Sequence, residues 1–191
     1  RTLSILFAVI LIALLGNIMK QIGKMNLLTD SLHYLFKDER FALAAIPAFI
    51  GLLPMVGGAM LSAPMVGELG DRHALNPEKK TAINFWFRHI WEFVMPLYPG
   101  FLLAATIFDI STRQLAQLGA PMTLSAAAIG IGFYIFTTQR SQTVGKHSKK
   151  QLLSHFFQAS WPIWLVIVLF FGIRLPLPIA VLSSIVVTLL V

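Results

Sequence analysis

Apolar residues form long stretches along this chain, and polar residues are gathered into short segments between them. About 20 apolar residues make a helix long enough to cross the hydrocarbon core of a bilayer. The pattern therefore predicts an all-α membrane protein with about five spanning helices, one re-entrant helical hairpin and one broken helix. Within a single transmembrane domain, 1–191, the predicted elements are spans at 1–22, 121–138, 153–174 and 175–191, the hairpin at 41–67 and the broken helix at 81–110. Pro96 and Pro99–Gly100 are predicted to interrupt the broken helix.

The hairpin is predicted from an interruption in the apolar stretch Phe41–Gly67. Pro54 lacks a backbone N–H and the pair Gly57–Gly58 turns freely, so one helix cannot continue through this point. From Phe41 to Pro54 a helix extends about 20 Å, which enters a hydrocarbon core about 30 Å thick without crossing it. Non-helical backbone at such depth survives only where protein buries it or water reaches it. The interruption is therefore typical of a transport site.

The distribution of lysine and arginine favours the same hairpin. If its ends share one side of the membrane, the loops 20–40, 68–80 and 139–150 carry eleven basic residues against three on the other side. If the hairpin crossed fully, the sides would carry five and nine, and the two halves of the chain would disagree about orientation. Because basic loops face the cytoplasm, we predict that these loops are cytoplasmic.

Composition supports this class of protein and excludes others. The chain is 57% hydrophobic and 12% charged, whereas about a quarter of a soluble domain is charged. The formal net charge of +7 comes from loops between apolar stretches, so we predict a lipid bilayer as the partner and no nucleic acid. The absence of cysteine excludes disulfides and thiolate metal sites.

Charged side chains inside the predicted broken helix are the main chemical signal. Asn84, Arg88 and Glu92 follow the i, i+4, i+8 spacing of one helical face. Glu92 lies about 18 Å along an upright helix from Lys80, near the bilayer midplane, where a carboxylate costs at least ~3 kcal/mol. We interpret Glu92 as a site for the coupling ion, Na⁺ or H⁺, and Arg88 as an anion-binding group. The alternative is a structural Arg–Glu pair that fastens this helix to a neighbour.

Other chemistry is poorly supported by the sequence. His89 and Glu92 have the i, i+3 spacing of a metal-binding pair, but within the spans only His155, at an edge, could add to it. No nucleophile–base pair is evident, so we predict neither an enzyme nor a cofactor. The polar segment Asp71–His73 is predicted to be a surface turn with a helix cap.

The order of hairpin, polar loop and broken helix resembles the ion-transporter superfamily, which includes gluconate permeases, arsenite and citrate transporters and divalent-anion symporters. The chain is also similar to an uncharacterised family of prokaryotic integral membrane proteins placed near that superfamily, which implies a location in a prokaryotic inner membrane. The resemblance rests on Gly51–Pro64, Asn84–Glu92 and Pro96–Gly100. It implies inverted repeats in which ions and substrate bind where hairpin tips meet helix breaks. The residues implied by position are Pro54, Gly57, Gly58 and Ser62 on the hairpin, and Met95, Tyr98 and Gly100 at the break.

The chain departs from the superfamily pattern in holding one repeat and in lacking the Ser-Asn-Thr hairpin signature of the sodium/dicarboxylate branch. The leading hypothesis is one half of a secondary active transporter for a small polar or anionic solute. The second repeat would be a missing C-terminal half, a separate chain or a homodimer mate. The alternative is a structural or assembly subunit of a larger membrane complex.

Overall fold

The computed structural model describes residues 2–36, 38–52, 58–140 and 148–190. These residues form helices joined by short turns, with no β-strand among them, so the predicted all-α class is confirmed for this part of the chain. The helices are α1 (Thr2–Gln21), α2 (Lys24–Leu35), α3 (Glu39–Gly51), α4 (Gly58–Arg72), α5 (Pro77–His89), α6 (Pro99–Ile107), α7 (Thr112–Gly130), α8 (Lys149–Ile167) and α9 (Leu177–Leu190).

Two described helices are long and apolar enough to cross a membrane. The first is Thr112–Ile135, in which α7 continues through a π-helical turn, and the second is Lys150–Gly172, in which α8 does the same. The pair α1 and α2 gives a third candidate if it is one span, bent by 71°. Helix α9 is apolar but has 14 residues. Two to three candidate spans are therefore present, and the count of about five stays a prediction.

Helix α2 lies within the segment 20–40, which the sequence pattern predicted to be a loop. Gly23 precedes it at φ 75°, a left-handed conformation that glycine adopts without steric cost. Met25, Leu28 and Leu32 are almost completely buried on one face of the helix. Helix α2 packs against α8 and α3, and Lys24 donates a hydrogen bond to the carbonyl of Gln158 at 3.1 Å.

Helices α3 and α4 form an antiparallel hairpin. Arg72, the last residue of α4, donates to Glu39, the first residue of α3, at 3.2 Å. The two helices have similar lengths, so the end of α3 and the start of α4 also lie at one end of the hairpin. The predicted turn between them, with Pro54 and Gly57, lies outside the described residues.

The helix predicted across residues 81–110 is broken, but its first part ends before Pro96 and Pro99, where the sequence predicted the interruption. Helix α5 ends at His89, Ile90–Phe93 is a 3₁₀ turn, and α6 begins at Pro99. Neighbouring helices hold the 3₁₀ turn from both sides. The Trp91 indole donates to the carbonyl of Ala48 in α3 at 2.8 Å, and the Thr123 hydroxyl of α7 donates to the carbonyl of Ile90 at 2.9 Å.

Glycines let the backbones around the break approach closely. A Cβ atom at Gly51 would lie 2.2 Å from the Arg88 carbonyl oxygen, and one at Gly119 would collide with the Phe93 carbonyl. At Gly130 it would meet the Trp86 ring, whose Nε1 donates to the carbonyl of Ala126 at 2.9 Å. Small residues at such contacts are typical of helices packed within a bilayer. The break is thus held between α3 and α7.

Candidate functional site

A cavity of about 470 Å³ lies at the break, between the 3₁₀ turn, the start of α6 and the middle of α7. Three predicted site residues, Glu92, Tyr98 and Gly100, line it together. The remaining lining is apolar apart from the backbone: Phe93, Phe101, Ala104, Leu115, Leu118, Gly119 and Met122. An apolar cavity with a few convergent polar groups is the usual form of a small-molecule site.

Tyr98 joins this cavity to the hairpin. Its hydroxyl oxygen lies 2.5 Å from the carbonyl oxygen of Gly51 and 3.3 Å from that of Arg88. A hydroxyl has one proton to donate, so the shorter contact to Gly51 is the principal hydrogen bond. The last residue of α3 is therefore tied to the residue that precedes α6, and a displacement of the hairpin would pull directly on the cavity wall.

Glu92 brings a carboxylate to the cavity. Its side chain is 49% exposed, and its Oε1 lies 3.9 Å from Nε2 of His89. Nδ1 of His89 lies 2.6 Å from the carbonyl oxygen of Phe85, so Nδ1 carries the proton and Nε2 has a lone pair when the ring is neutral. An ion pair at this contact would require protonated His89, and the half-exposed Glu92 carboxylate lines the cavity.

The first turn of α6 brings the opposite kind of polarity to the same cavity. Tyr98, the N-cap residue of α6, makes no side-chain capping hydrogen bond, and the next two residues after Pro99, Gly100 and Phe101, line the cavity. Backbone N–H groups in the first turn of a helix have no partner within the helix and attract anions. A Cβ atom at Gly100 would meet nothing within 4 Å, so there is open space beside this turn.

The other predicted site residues that the structure describes do not line the cavity. Ser62 is fully buried inside the hairpin, with its hydroxyl 3.4 Å from the carbonyl oxygen of Gly58. Asn84 and Met95 are buried, and Arg88 is half-buried. Pro54 and Gly57 are outside the described residues. The polar stripe of α5 therefore separates, because the helix ends at His89 and only Glu92 reaches the cavity.

The sequence pattern missed a second set of polar side chains, which meet where α3 begins and α4 ends. We call this set the hairpin-base cluster, and its members are His33, Glu39, Arg72 and His73. Glu39 is 3% exposed and His73 is 5% exposed. The prediction of a surface turn at Asp71–His73 is therefore wrong, because Asp71 and Arg72 belong to α4 and His73 is buried. Arg72 donates through Nη1 to Oε1 of Glu39 at 3.2 Å and through Nη2 to Glu68 at 2.7 Å. The sequence showed only that charged residues are concentrated in the loops. It did not show that the side chains of the hairpin-base cluster are buried.

A neighbouring ion pair connects the hairpin to the segment after α7. Arg40 donates to Asp38 at 2.8 Å and to the carbonyl of Thr138 at 3.1 Å. Nε of Arg140 lies 3.4 Å from the Asp38 carboxylate. The hydrogen bonds from Arg40 lower the pKa of Asp38. Its contribution to stability is therefore present above the pKa of the unfolded chain and is lost as the pH falls through the lower folded value.

Replacing Arg72 by methionine is expected to reduce the free energy of unfolding by about 1–3 kcal/mol, because Glu39 would be left as a buried carboxylate without this partner. The matched change Glu68→Gln removes the other carboxylate partner of Arg72. Because the Glu68 side chain is 64% exposed, this change should reduce the free energy of unfolding by less than about 1 kcal/mol. Thermal unfolding of both variants in detergent measures the difference. Equal losses would mean that the contact between Arg72 and Glu39 is no more important than a surface pair.

No group of three or more His, Asp or Glu side chains suited to a metal ion occurs in the described part of the chain.

Comparisons with known proteins place the whole chain in one family. No curated protein and no solved structure matches the chain. Residues 1–191 match a family described as "Protein of unknown function (DUF401)", and the chain belongs to that family.

Proposed function

We propose that the chain is one half of a secondary active transporter for a small polar or anionic solute, with H⁺ or Na⁺ as the coupling ion. The observation that carries the proposal is the cavity at the helix break, where Glu92 and the uncapped first turn of α6 line the same space. In membrane transporters, interrupted helices of this kind bind anionic groups at half-helix N-termini and cations at neighbouring oxygen atoms.

The two polar elements of the cavity would have different tasks. The N–H groups of Gly100 and Phe101 would bind the anionic group of the solute, since a helix N-terminus favours negative charge. Glu92 would bind the coupling ion, since a carboxylate exposed to the interior of a membrane is costly until a proton or a cation neutralises it. Occupation of one position would favour occupation of the other, because the charges have opposite sign.

Movement of the hairpin would provide access to the cavity. The hydrogen bond from Tyr98 to Gly51 and the one from Trp91 to Ala48 link the end of α3 to the break. A hairpin that re-enters the membrane from the cytoplasmic side, with loops 20–40, 68–80 and 139–150 on that side, could carry the cavity wall with it. This arrangement resembles the ion-transporter superfamily, and we propose that the chain is related to it and sits in a prokaryotic inner membrane.

A second repeat would complete the cavity. The outer faces of α6 and α7 are apolar and exposed at Ile107, Phe108, Leu118 and Leu124. Half-exposed Glu92 lies beside this surface, and a carboxylate facing lipid is unfavourable. A second copy, a separate chain or a further part of the same polypeptide would cover this side of the cavity.

Uptake by proteoliposomes tests the proposal. The purified protein would be reconstituted and supplied with a panel of small radiolabelled carboxylates and oxyanions, with a proton or sodium gradient across the membrane. We expect at least one solute to accumulate only when the gradient is imposed. If no solute enters faster than into protein-free vesicles, while circular dichroism shows that the protein is folded, the transport proposal is wrong.

The alternative function is an assembly subunit, and the exposed apolar faces of α6 and α7 favour it because a partner helix would cover them equally well. In that case the carboxylate of Glu92 would pair with a basic group of the partner. Purification from membranes under mild detergent discriminates between the two. A stoichiometric heterologous membrane protein together with a dry cavity would support the assembly role.

A further inference from the structure

We propose that His73 and Glu39 form a proton-binding site at the base of the hairpin, distinct from the cavity at the helix break. The His73 side chain is 0% exposed and the Glu39 side chain is 4% exposed. Nε2 of His73 lies 3.9 Å from Oε2 of Glu39. The two groups therefore lie close together and away from solvent, where a polar atom without a partner is costly.

The other ring nitrogen fixes the orientation and the tautomer of His73. Nδ1 lies 2.8 Å from the carbonyl oxygen of Gln139, and a carbonyl can only accept a hydrogen bond. Nδ1 therefore carries the proton, and neutral His73 presents a lone pair at Nε2. This atom has no hydrogen-bond partner among the described residues, and it faces a carboxylate oxygen that also has only lone pairs to offer.

Only one carboxylate oxygen of Glu39 is paired with Arg72, and the other oxygen faces His73. Arg72 of α4 donates to Oε1 of Glu39 at 3.2 Å, so Oε2 is the atom that faces His73. From α2, Nε2 of His33 lies 3.5 Å from Nη1 of Arg72, on the other side of the arginine. Nearby, Asp38 is paired with Arg40 and Arg140. One proton on Nε2 or on Oε2 replaces the two opposed lone pairs by a donor and an acceptor. The two atoms, 3.9 Å apart, would then approach to hydrogen-bonding distance, in either the imidazolium–carboxylate or the imidazole–carboxyl form.

The bound proton would lock the base of the hairpin. Glu39 begins α3, His73 follows α4, and Gln139 follows the long span that contains α7. A proton on this pair therefore strengthens the contact of three separate parts of the chain, and its release weakens it. If the proposed transport function holds, the same event would make hairpin movement sensitive to cytoplasmic pH, and this consequence alone rests on that function.

Nitrogen-15 NMR of histidine-labelled protein in detergent tests the binding of the proton. The signals of His73 are assigned with His73→Asn, which retains a donor towards Gln139 and lacks the titrating nitrogen. We expect Nδ1 to be protonated throughout and Nε2 to gain a proton between about pH 8 and pH 5, the interval in which histidines change charge. In Glu39→Gln the new amide can donate to Nε2 at every pH, so this change should disappear from the interval. An Nε2 signal that does not change in the wild type, or that changes equally in Glu39→Gln, would overturn the proposal.

Thermal unfolding tests the locking of the hairpin base. The stability advantage of the wild type over His73→Asn should be larger at about pH 5.5 than at about pH 8, by a shift in Tm of about 2–4 °C. His155→Asn is the control, because His155 is exposed on α8 and its loss should give no such pH dependence. An equal advantage at both pH values would contradict the lock. Neither measurement requires transport, so a negative uptake assay would remove the proposed function and leave the proton site in place.

Discussion

Replacing Gly51 by alanine is expected to reduce the free energy of unfolding by about 3 kcal/mol, the upper part of the usual range for overpacking. The added methyl group would lie 2.2 Å from the carbonyl oxygen of Arg88, with other backbone atoms of Arg88 at 2.9 and 3.0 Å. Backbone atoms cannot swing aside as a flexible side chain can, so α3 and α5 must separate. The separation would also break the hydrogen bond from Tyr98 to the Gly51 carbonyl. Thermal or denaturant unfolding in detergent measures the loss.

Gly67→Ala is the matched control for this change. Gly67 lies in α4 of the same hairpin, and a Cβ atom there would meet nothing within 4 Å. Alanine in the interior of a helix is more favourable than glycine by about 0.5–1 kcal/mol, so this variant should be as stable as the wild type or slightly more stable. If Gly51→Ala and Gly67→Ala behave alike, the close approach of α3 to the break is wrong.

Glu92→Gln is expected to slow uptake by about tenfold to a hundredfold, the effect of losing one hydrogen bond to a charged group. Glutamine retains the shape of the side chain but carries no charge, so the charge-assisted contact of Glu92 with a proton or a cation is lost. Because the Glu92 side chain is 49% exposed and lies 3.9 Å from the His89 ring, the free energy of unfolding should change by less than about 0.5 kcal/mol. Uptake and thermal unfolding of the same preparation separate the two effects.

Glu78→Gln provides the comparison for Glu92→Gln. Glu78 is an exposed carboxylate in the first turn of α5, the helix that leads into the break. Its replacement changes the net charge equally and should leave the rate of uptake unchanged. A Glu92→Gln protein that takes up the solute as fast as Glu78→Gln would remove Glu92 from the site.

The helical hairpin and the broken helix could be predicted because backbone chemistry determines them locally. Pro54 and the pair Gly57–Gly58 interrupt a helix, and α3 ends at Gly51 while α4 begins at Gly58. The break was predicted at Pro96 and Pro99, whereas the α-helix ends at His89. Its position depends on hydrogen bonds from Trp91 and Thr123 to distant carbonyl groups, and no local pattern encodes such contacts.

The cavity and the hairpin-base cluster could not be predicted, because both depend on how distant segments pack. Glu92 and Tyr98 were selected as site residues, but Leu115, Leu118 and Met122 of α7 form the opposite wall. Ser62 was selected by resemblance and is buried inside the hairpin. The segment 68–80 looks like an ordinary polar loop in the sequence, and the burial of His73 results from contacts with residues more than thirty positions away.

The central claim is that water reaches the cavity at the helix break, and cysteine labelling tests it most directly. The chain has no cysteine, so Gly100→Cys and Leu124→Cys would each introduce a single thiol. Gly100 lines the cavity with open space beside it, whereas Leu124 is 71% exposed on the outer face of α7, where lipid should cover it. In proteoliposomes, we predict that a membrane-impermeant thiol reagent modifies Gly100→Cys and leaves Leu124→Cys unmodified. Protection of Gly100→Cys to the same extent as Leu124→Cys would contradict the account.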